Sequence, residues 1–367
     1  MHRYLTRACV AAAAGVALST VGMSGASASS AEMAQAAAGP GAQLWAKLYN
    51  GPGNSSSQAF SVTTSPDGST VYVTGGSGDN GTADYTTVAY NAATGAQRWV
   101  SRYNGGVTAF SVAVSPDGST VFVTGYSAAG TQSGFDYATV AYNAATGAQR
   151  WAKLYSGLGN EGGQAFWLAV SPDGKTVFVT GASGVANNDA EDYATVAYNA
   201  ATGAQRWAKR YNGPGNSNDY AESVAVSPTG NEVFVTGYSA AGPQSSYDYA
   251  TVAYSAATGA QLWAKRYDGP GHNDDVAESV AVSPTGGTVY VTGYSDGVNL
   301  QPDYATVAYN TATGARLWVS RYNIPNNTAG AVAFSVTVSP SGTVFVTGET
   351  HPSSTSNWEY ATIAYHS

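Results

Sequence analysis

Residues 219–267 read DYAESVAVSPTGNEVFVTGYSAAGPQSSYDYATVAYSAATGAQLWAKRY, and this stretch decides the fold. It contains four short runs rich in β-branched and aromatic residues, which favour β-strands. A turn at 227–230 joins the first two runs and a turn at 257–259 joins the last two, because Ser, Pro, Thr and Gly favour tight turns. The stretch therefore predicts four antiparallel strands in chain order.

The same unit recurs along the chain. The phrase Ser-Pro-x-Gly begins at Ser65, Ser115, Ser171, Ser227, Ser283 and Ser339. A tryptophan after Gly-Ala-(Gln/Arg)-x stands at Trp45, Trp99, Trp151, Trp207, Trp263 and Trp318. Six copies of a four-stranded antiparallel unit predict an all-β fold, a six-bladed β-propeller.

The two ends of the repeated region differ from the middle. Residues 42–49 resemble a lone fourth strand, whereas the last copy ends after its third strand at Tyr365. Because an unpaired strand edge invites aggregation, we expect the N-terminal strand to complete the last blade and close the ring. Residues 42–367 are then one propeller domain.

The N-terminal residues are predicted to be a targeting segment. Residues 1–28 combine two arginines, an apolar stretch and a small-residue cleavage site, as in a signal peptide, and 29–41 are expected to be a disordered leader. Cleavage would remove Cys9, the single cysteine, and leave 15 − 2 = 13 basic against 23 acidic residues. This acidic chain is expected to be secreted, extracellular and monomeric, with no nucleic-acid partner and no membrane span.

Two motifs carry a family resemblance. Residues 89–99 read AYNAATGAQRW, which resembles the PQQ-like tryptophan-docking motif of quinoprotein propellers, and the motif recurs at 141–151, 197–207, 253–263 and 308–318. Together with YNGPGN at 49–54 and VTGYS at 123–127, the unit is similar to the SBBP-type bacterial β-propeller repeats. Quinoprotein dehydrogenases typically have eight blades, and many have an adjacent cysteine pair. This chain has six copies, no mature cysteine, and Asn91 where the motif has Asp, so no quinone cofactor is expected.

Differences between the copies indicate where a single binding site would lie. Five residues before each Ser-Pro turn, four copies have Phe, whereas the fourth and fifth copies have Glu222 and Glu278. The preceding loops add Asp219, His272, Asp274 and Asp275. Tyr238 and Tyr294, predicted at loop tips after the second strands, and Trp358 would supply an aromatic platform. These nine residues are the candidate ligand-binding set.

The chemistry of this set has three interpretations. Two neighbouring glutamates can act as an acid–base pair when their pKa values differ. Carboxylates also suit Ca²⁺, which prefers oxygen ligands. Alternatively, the acids are solvated or pair with Lys209, Arg210, Lys265 or Arg266. No catalytic residue is assigned, and a metal is left open.

We interpret the chain as a secreted, non-catalytic binding or scaffold propeller. Its tight turns are nearly identical between copies, whereas the opposite loops vary, so the variable face would bind a glycan, peptide or protein. The alternative is a secreted enzyme (a lyase, a hydrolase or a quinone-dependent sugar oxidoreductase) with acidic residues at the channel mouth.

Overall fold

The computed structural model describes residues 41–366 apart from 79–83, 129–133, 158–159, 186–187, 241–245, 323–329 and 352–356. The predicted signal peptide, 1–28, and residues 29–40 of the predicted leader lie outside the described residues. In the described part of the chain, 23 strands form six antiparallel sheets, and Pro52–Asn54 is a 3₁₀ turn.

The first three sheets each contain four strands. The first sheet has β1 (Ser57–Thr64), β2 (Thr70–Ser77), β3 (Asp84–Asn91) and β4 (Gln97–Tyr103). The second has β5 (Gly106–Val114), β6 (Thr120–Ser127), β7 (Asp136–Asn143) and β8 (Gln149–Tyr155). The third has β9 (Gly163–Val170), β10 (Thr176–Val185), β11 (Asn188–Asn199) and β12 (Gln205–Tyr211).

The last three sheets repeat this order, and the final one has three strands. The fourth sheet has β13 (Asp219–Val226), β14 (Glu232–Ala240), β15 (Tyr247–Ser255) and β16 (Gln261–Tyr267). The fifth has β17 (Asp275–Val282), β18 (Thr288–Asp296), β19 (Pro302–Asn310) and β20 (Arg316–Tyr322). The sixth has β21 (Ala331–Val338), β22 (Val344–Thr350) and β23 (Glu359–Tyr365).

Consecutive sheets pack side by side through their first strands. β1 packs on β5, β5 on β9, β9 on β13, β13 on β17, and β17 on β21. The core therefore lies between neighbouring sheets, in five clusters of buried Tyr, Trp, Val and Ala side chains. This side-by-side packing of repeated antiparallel sheets is the arrangement of a β-propeller.

A tryptophan in the fourth strand of each of the first four sheets binds the next sheet. The Trp207 indole donates a hydrogen bond to the Ala256 carbonyl at 2.9 Å, and its ring covers Gly259 in the next Ala-Thr-Gly turn. Gly259 has φ +68°, and a Cβ there would lie 2.7 Å from the Trp207 ring. Glycine is required at this position for two reasons, the left-handed backbone conformation and the close approach of the indole ring. Four further tryptophans make the same hydrogen bond, namely Trp45, Trp99, Trp151 and Trp263.

The predicted pairing of residues 42–49 with the last strand is not seen. Residues 42–50 form no regular strand, and the sixth sheet ends at β23. The N-terminal segment lies instead against the first sheet, where the Trp45 indole donates to the Ala92 carbonyl at 2.8 Å. In the sixth sheet, Phe345 and Tyr360 are 40% and 97% exposed.

Among the described residues, no helix has the length and apolar character needed to cross a lipid bilayer.

We predict that Gly259→Ala destabilises the protein more than Gly286→Ala. Both glycines have positive φ, which costs an L-residue about 1–2 kcal/mol. A Cβ at Gly286 meets its nearest neighbour at an ordinary 3.6 Å, whereas at Gly259 it collides with the Trp207 ring, adding about 1–3 kcal/mol of overpacking. Urea unfolding of the two variants measures the difference, and equal losses would contradict the proposed role of the indole contact.

Candidate functional site

The two faces of the sheets differ in their chemistry. The Ser-Pro-x-Gly and Ala-Thr-Gly turns lie together on one face, which we call the turn face. The connections that follow each second and fourth strand lie on the other, the loop face. On the turn face, the Ser65 and Ser69 hydrogen bonds lower the pKa of exposed Asp67 to about 2. Its equivalents Asp117 and Asp173 are exposed too, and neighbouring serine hydroxyls lower their pKa in the same way.

Glu222 and Glu278 lie at β-bulges in the first strands of two neighbouring sheets. The strand register shifts between Ala221 and Ser223, and again at the equivalent place around Glu278. A bulge turns its side chain away from the regular pleat. The equivalent Phe60 and Phe110 rings lie 5.3 Å apart, so residues at this position face one another across consecutive sheets. The two glutamates occupy the equivalent bulge positions of the fourth and fifth sheets.

The glutamates lie close to the buried tyrosines of the preceding sheet. Glu222 is 9% exposed and Glu278 is half-buried. Burial raises the pKa of Tyr193 and Tyr249 well above the usual value, and the charges of Glu222 and Glu278 add to it. Two of the predicted cationic partners have carboxylates of their own, because Arg210 binds Asp192 and Arg266 binds Asp248, each at 2.7 Å.

Asp219 and Asp275 begin the same two strands and are completely buried. Oδ2 of each accepts a backbone hydrogen bond, from Gly213 N at 2.6 Å and from Gly269 N at 2.7 Å. Burial nevertheless raises the pKa of both carboxyls to about 6, and the backbone hydrogen bonds offset this only in part. In the first sheet, Ser57 occupies this place and accepts from Gly51 N. The acid is therefore not needed to hold the turn.

Three carboxylates meet where the fourth and fifth sheets adjoin. Carboxylate oxygens of Asp248, Asp268 and Asp275 lie within 4.8 Å of one another. His272 Nδ1 is 2.8 Å from Asp268 Oδ2, and this contact raises the pKa of the imidazole. Arg266 binds Asp248 and neutralises part of the charge. We call Asp248, Asp268, Asp275 and His272 the acidic cluster; its carboxylates offer the oxygen ligands that Ca²⁺ prefers.

Asp248 and Asp268 were not among the residues selected from the sequence. Asp268 could have been found, because residues 267–272 read YDGPGH where 211–216 read YNGPGN. The copies thus differ at both ends of the loop, with Asp268 and His272 in place of two asparagines. Asp248 gave no such signal, since every copy has an acid at that position.

Asp274 supports the loop backbone. Its Oδ1 accepts a hydrogen bond from Tyr247 N at 3.2 Å, and Asn218 Oδ1 accepts from Glu191 N at 3.1 Å in the preceding copy. Asp274 and Asn218 thus each accept a hydrogen bond from a backbone N–H of the neighbouring loop or strand. The placement of Asp274 therefore accounts for one hydrogen bond and adds no ligand to the acidic cluster.

The predicted aromatic residues lie in different surroundings. Tyr238 and Tyr294 are inside β14 and β18 and not at loop tips, because both strands continue past them. Tyr238 packs between Tyr220 and Tyr247, with centroids 5.1 and 5.0 Å away. Trp358 immediately precedes β23 of the sixth sheet, is 54% exposed and lies with its ring centroid 5.2 Å from that of His351.

We predict that the stability of the protein falls as the pH rises through 6. The folded-state pKa of Asp219 and Asp275, about 6, exceeds the ordinary 3.8, so their contribution is full below pH 4 and is lost as the buried carboxyls ionise. The Asp219→Asn/Asp275→Asn variant lacks these titrations. The melting temperature of the variant minus that of the parent should therefore increase from pH 4.5 to pH 7.5. Parallel profiles for the two proteins would contradict the raised pKa values.

Comparison with known proteins identifies the repeat. The family model described as Outer membrane protein assembly factor BamB matches residues 26–242 and 194–353. A search of the curated proteins found no match. Hydrazine synthase from Kuenenia stuttgartiensis is similar with a TM-score of 0.56 at 18% identity, over 78% of this chain and 72% of that chain.

Two further solved structures share the fold. The Dos1 propeller has a TM-score of 0.50 at 12% identity, over 79% of this chain and 66% of that chain. A chain of the mitotic checkpoint complex has a TM-score of 0.50 at 16% identity, over 83% of this chain and 74% of that chain. At these identities the likeness shows a β-propeller fold alone.

Proposed function

We propose, for a chain that belongs to the family described as Outer membrane protein assembly factor BamB, a binding or scaffold role without catalysis. The predicted signal peptide at 1–28 supports a location outside the cytoplasm, and secretion to the extracellular space is part of the proposal. The ligand would be a glycan, a peptide or a protein bound on the loop face.

The observation that carries this proposal is the asymmetry of the loop face. The sequence Asp-x-Ala-Glu occurs in the first strands of the fourth and fifth sheets, at 219–222 and 275–278, and the other first strands have Ala-Phe at its last two positions. Next to it lies the acidic cluster. A scaffold of near-identical sheets needs no such difference between copies, whereas a single binding site does.

The charge of this sector favours particular ligands. Carboxylates attract cations and repel phosphates, and they accept hydrogen bonds from hydroxyl groups. We therefore favour a divalent cation, a basic peptide or a hydroxyl-rich glycan over a polyanion. Tyr220, Tyr238 and Tyr247 pack together in the fourth sheet and would offer an apolar surface to a sugar ring or peptide.

An enzymatic role is the alternative. General acid–base catalysis is most effective when the pKa of the catalytic group lies near the working pH, and Asp219 and Asp275 have a pKa of about 6. A lyase or hydrolase reaction is favoured over a quinone-dependent oxidation, because the mature chain has no cysteine pair and Asn91 replaces the docking Asp. No cofactor is assigned.

We also propose that the ring closes as a six-bladed propeller, with 42–49 completing the last sheet. Trp45 already makes the hydrogen bond that Trp99 and its equivalents make to the following sheet. The aromatic residues equivalent to Phe345 and Tyr360 in the other five sheets are buried between sheets. A cavity of about 250 Å³ beside Trp45, lined by Thr86, Val88 and other residues, would receive them.

Binding can be tested with variants of the loop face. Glu222→Ala/Glu278→Ala should abolish the rise in melting temperature caused by a basic peptide or by a glycan panel, because the acceptors are removed. Asp268→Asn/His272→Asn restores the 211–216 sequence and should abolish the response to Ca²⁺ alone. Thr229→Ala/Thr285→Ala, on the turn face, is the matched control. Equal losses from both faces would contradict the placement, and a hydrolytic turnover that Glu222→Gln/Glu278→Gln removes would favour the enzyme.

Ring closure can be tested by cross-linking. The register of β19 and β20, where Thr306 pairs with Ser320, predicts that Lys47 pairs with Thr362. In a Cys9→Ser background, Lys47→Cys/Thr362→Cys should form a fast intramolecular cross-link with a short bifunctional thiol reagent. Lys47→Cys/Asp117→Cys, with the second cysteine on the turn face of another sheet, is the control. Cross-linked dimers with no intramolecular product would contradict closure within one chain.

A further inference from the structure

A guanidinium group links three strands in four of the six sheets. An arginine in the fourth strand binds the aspartate at the start of the third strand, in the pairs Arg102–Asp84, Arg210–Asp192, Arg266–Asp248 and Arg321–Asp303 at 2.7–2.9 Å. Each of these arginines also donates to the carbonyl of a serine at or near the end of the second strand. These groups define a repeated guanidinium site on the loop face.

A tyrosine of the preceding sheet completes the site. Arg321 donates to the Tyr267 hydroxyl at 3.2 Å and to the Ser295 hydroxyl. The guanidinium is thus surrounded by a carboxylate, a carbonyl and hydroxyl groups, which match its planar set of five donors. The arginine side chains at the four sites are only 14–23% exposed.

The second sheet keeps the acceptors and lacks the arginine. Asp136, Ser127 and Tyr103 occupy the positions of Asp303, Ser295 and Tyr267, whereas the arginine position is Leu154. A leucine side chain ends where the arginine stem would continue to its guanidinium, so Leu154 does not reach the acceptors as a donor.

Among the residues that the structure describes, the carboxyl of Asp136 has no counterion. Asp136 is completely buried, and neither of its oxygens has a hydrogen-bond partner of good geometry in the described part of the chain. Burial raises the pKa of this carboxyl, and the Ser156 hydroxyl offsets the effect only in part. A buried carboxylate without a paired cation is costly. Leu154 is 41% exposed to solvent, and the fourth strands of the first, third, fourth and fifth sheets have an arginine at its position.

We propose that Asp136, Ser127 and Tyr103 form a binding site for a guanidinium group that the described part of the chain does not supply. The ligand is either a small guanidine compound or an arginine side chain of a peptide. In both cases the group would donate to the Asp136 carboxylate and the Ser127 carbonyl, as Arg321 does to Asp303 and Ser295. This site lies in the second sheet, apart from the acidic sector of the proposed function.

Methylguanidinium chloride is the probe for the site. At about 10 mM, a ligand of millimolar affinity should raise the melting temperature of the parent protein by about 2 °C relative to equal concentrations of NaCl and of urea, the neutral analogue. Leu154→Arg places a guanidinium in the site from within the chain, so it should raise the melting temperature without added ligand and abolish the methylguanidinium response. Asp136→Asn should abolish the response too.

A peptide probe distinguishes the two sources of the ligand, and a titration covers the case in which a variant fails to fold. Acetyl-Gly-Arg-Gly-amide that binds at least as well as methylguanidinium indicates a peptide ligand, whereas a response to methylguanidinium alone indicates a small compound. If Asp136→Asn fails to fold, calorimetric titration of the parent and Leu154→Arg gives the same comparison. No response in the parent to either probe, or equal responses in the parent and Leu154→Arg, would overturn the proposal.

Discussion

The fold depends on the contact of a tryptophan in one sheet with the glycine turn of the next sheet, which Trp99, Trp151, Trp207 and Trp263 make. The indole requires a carbonyl acceptor, a left-handed glycine and an open surface above it, and Ala256 and Gly259 supply these to Trp207. Because one sheet provides the ring and the next provides the turn, the interfaces between the first five sheets impose the same demand, whereas the sixth sheet, as far as the structure describes it, ends at β23 and has no such turn. The Ala-Thr-Gly turns therefore repeat almost without change, whereas the loop face differs between copies at Glu222 and Glu278.

Most of the fold could be predicted because its determinants are local and repeated. Strand runs, turn residues and six copies of each phrase indicated six antiparallel sheets, and the structure has them. The pairing of 42–49 with β23 joins the two ends of the domain and has no local signal. The prediction that 42–49 pairs in the last sheet rests on Trp45, which is the tryptophan of the docking motif. Trp45 makes the docking hydrogen bond, but residues 42–50 are not paired in a sheet.

The candidate site was predictable to the extent that copies differ at one aligned position. Glu222, Glu278, Asp219 and Asp275 stood out in this way and lie on neighbouring strands. From the sequence Asp248 was interpreted as blade structure, because every copy has an acid at that position. Only the three-dimensional structure brings it close to Asp268 and Asp275. The prediction of Tyr238 at a loop tip was wrong. The end of a strand depends on where its pairing stops, which the sequence does not show, and β14 and β15 stay paired beyond Tyr238.

The electrostatics of the two faces give the strongest reason to place function on the loop face. On the turn face, short hydrogen bonds from serine hydroxyls lower the pKa of exposed Asp67, Asp117 and Asp173, so these acids are stable as anions and rigidify turns. On the loop face, Asp136, Asp219 and Asp275 are fully buried and desolvation raises their pKa.

Buried acids of this kind weaken the folded state near neutral pH, and the first sheet shows with Ser57 that a neutral residue can hold the same turn. In a region of low dielectric, a cationic or hydroxyl-bearing ligand interacts strongly with such groups. The acids that the scaffold does not need are thus the ones suited to a ligand.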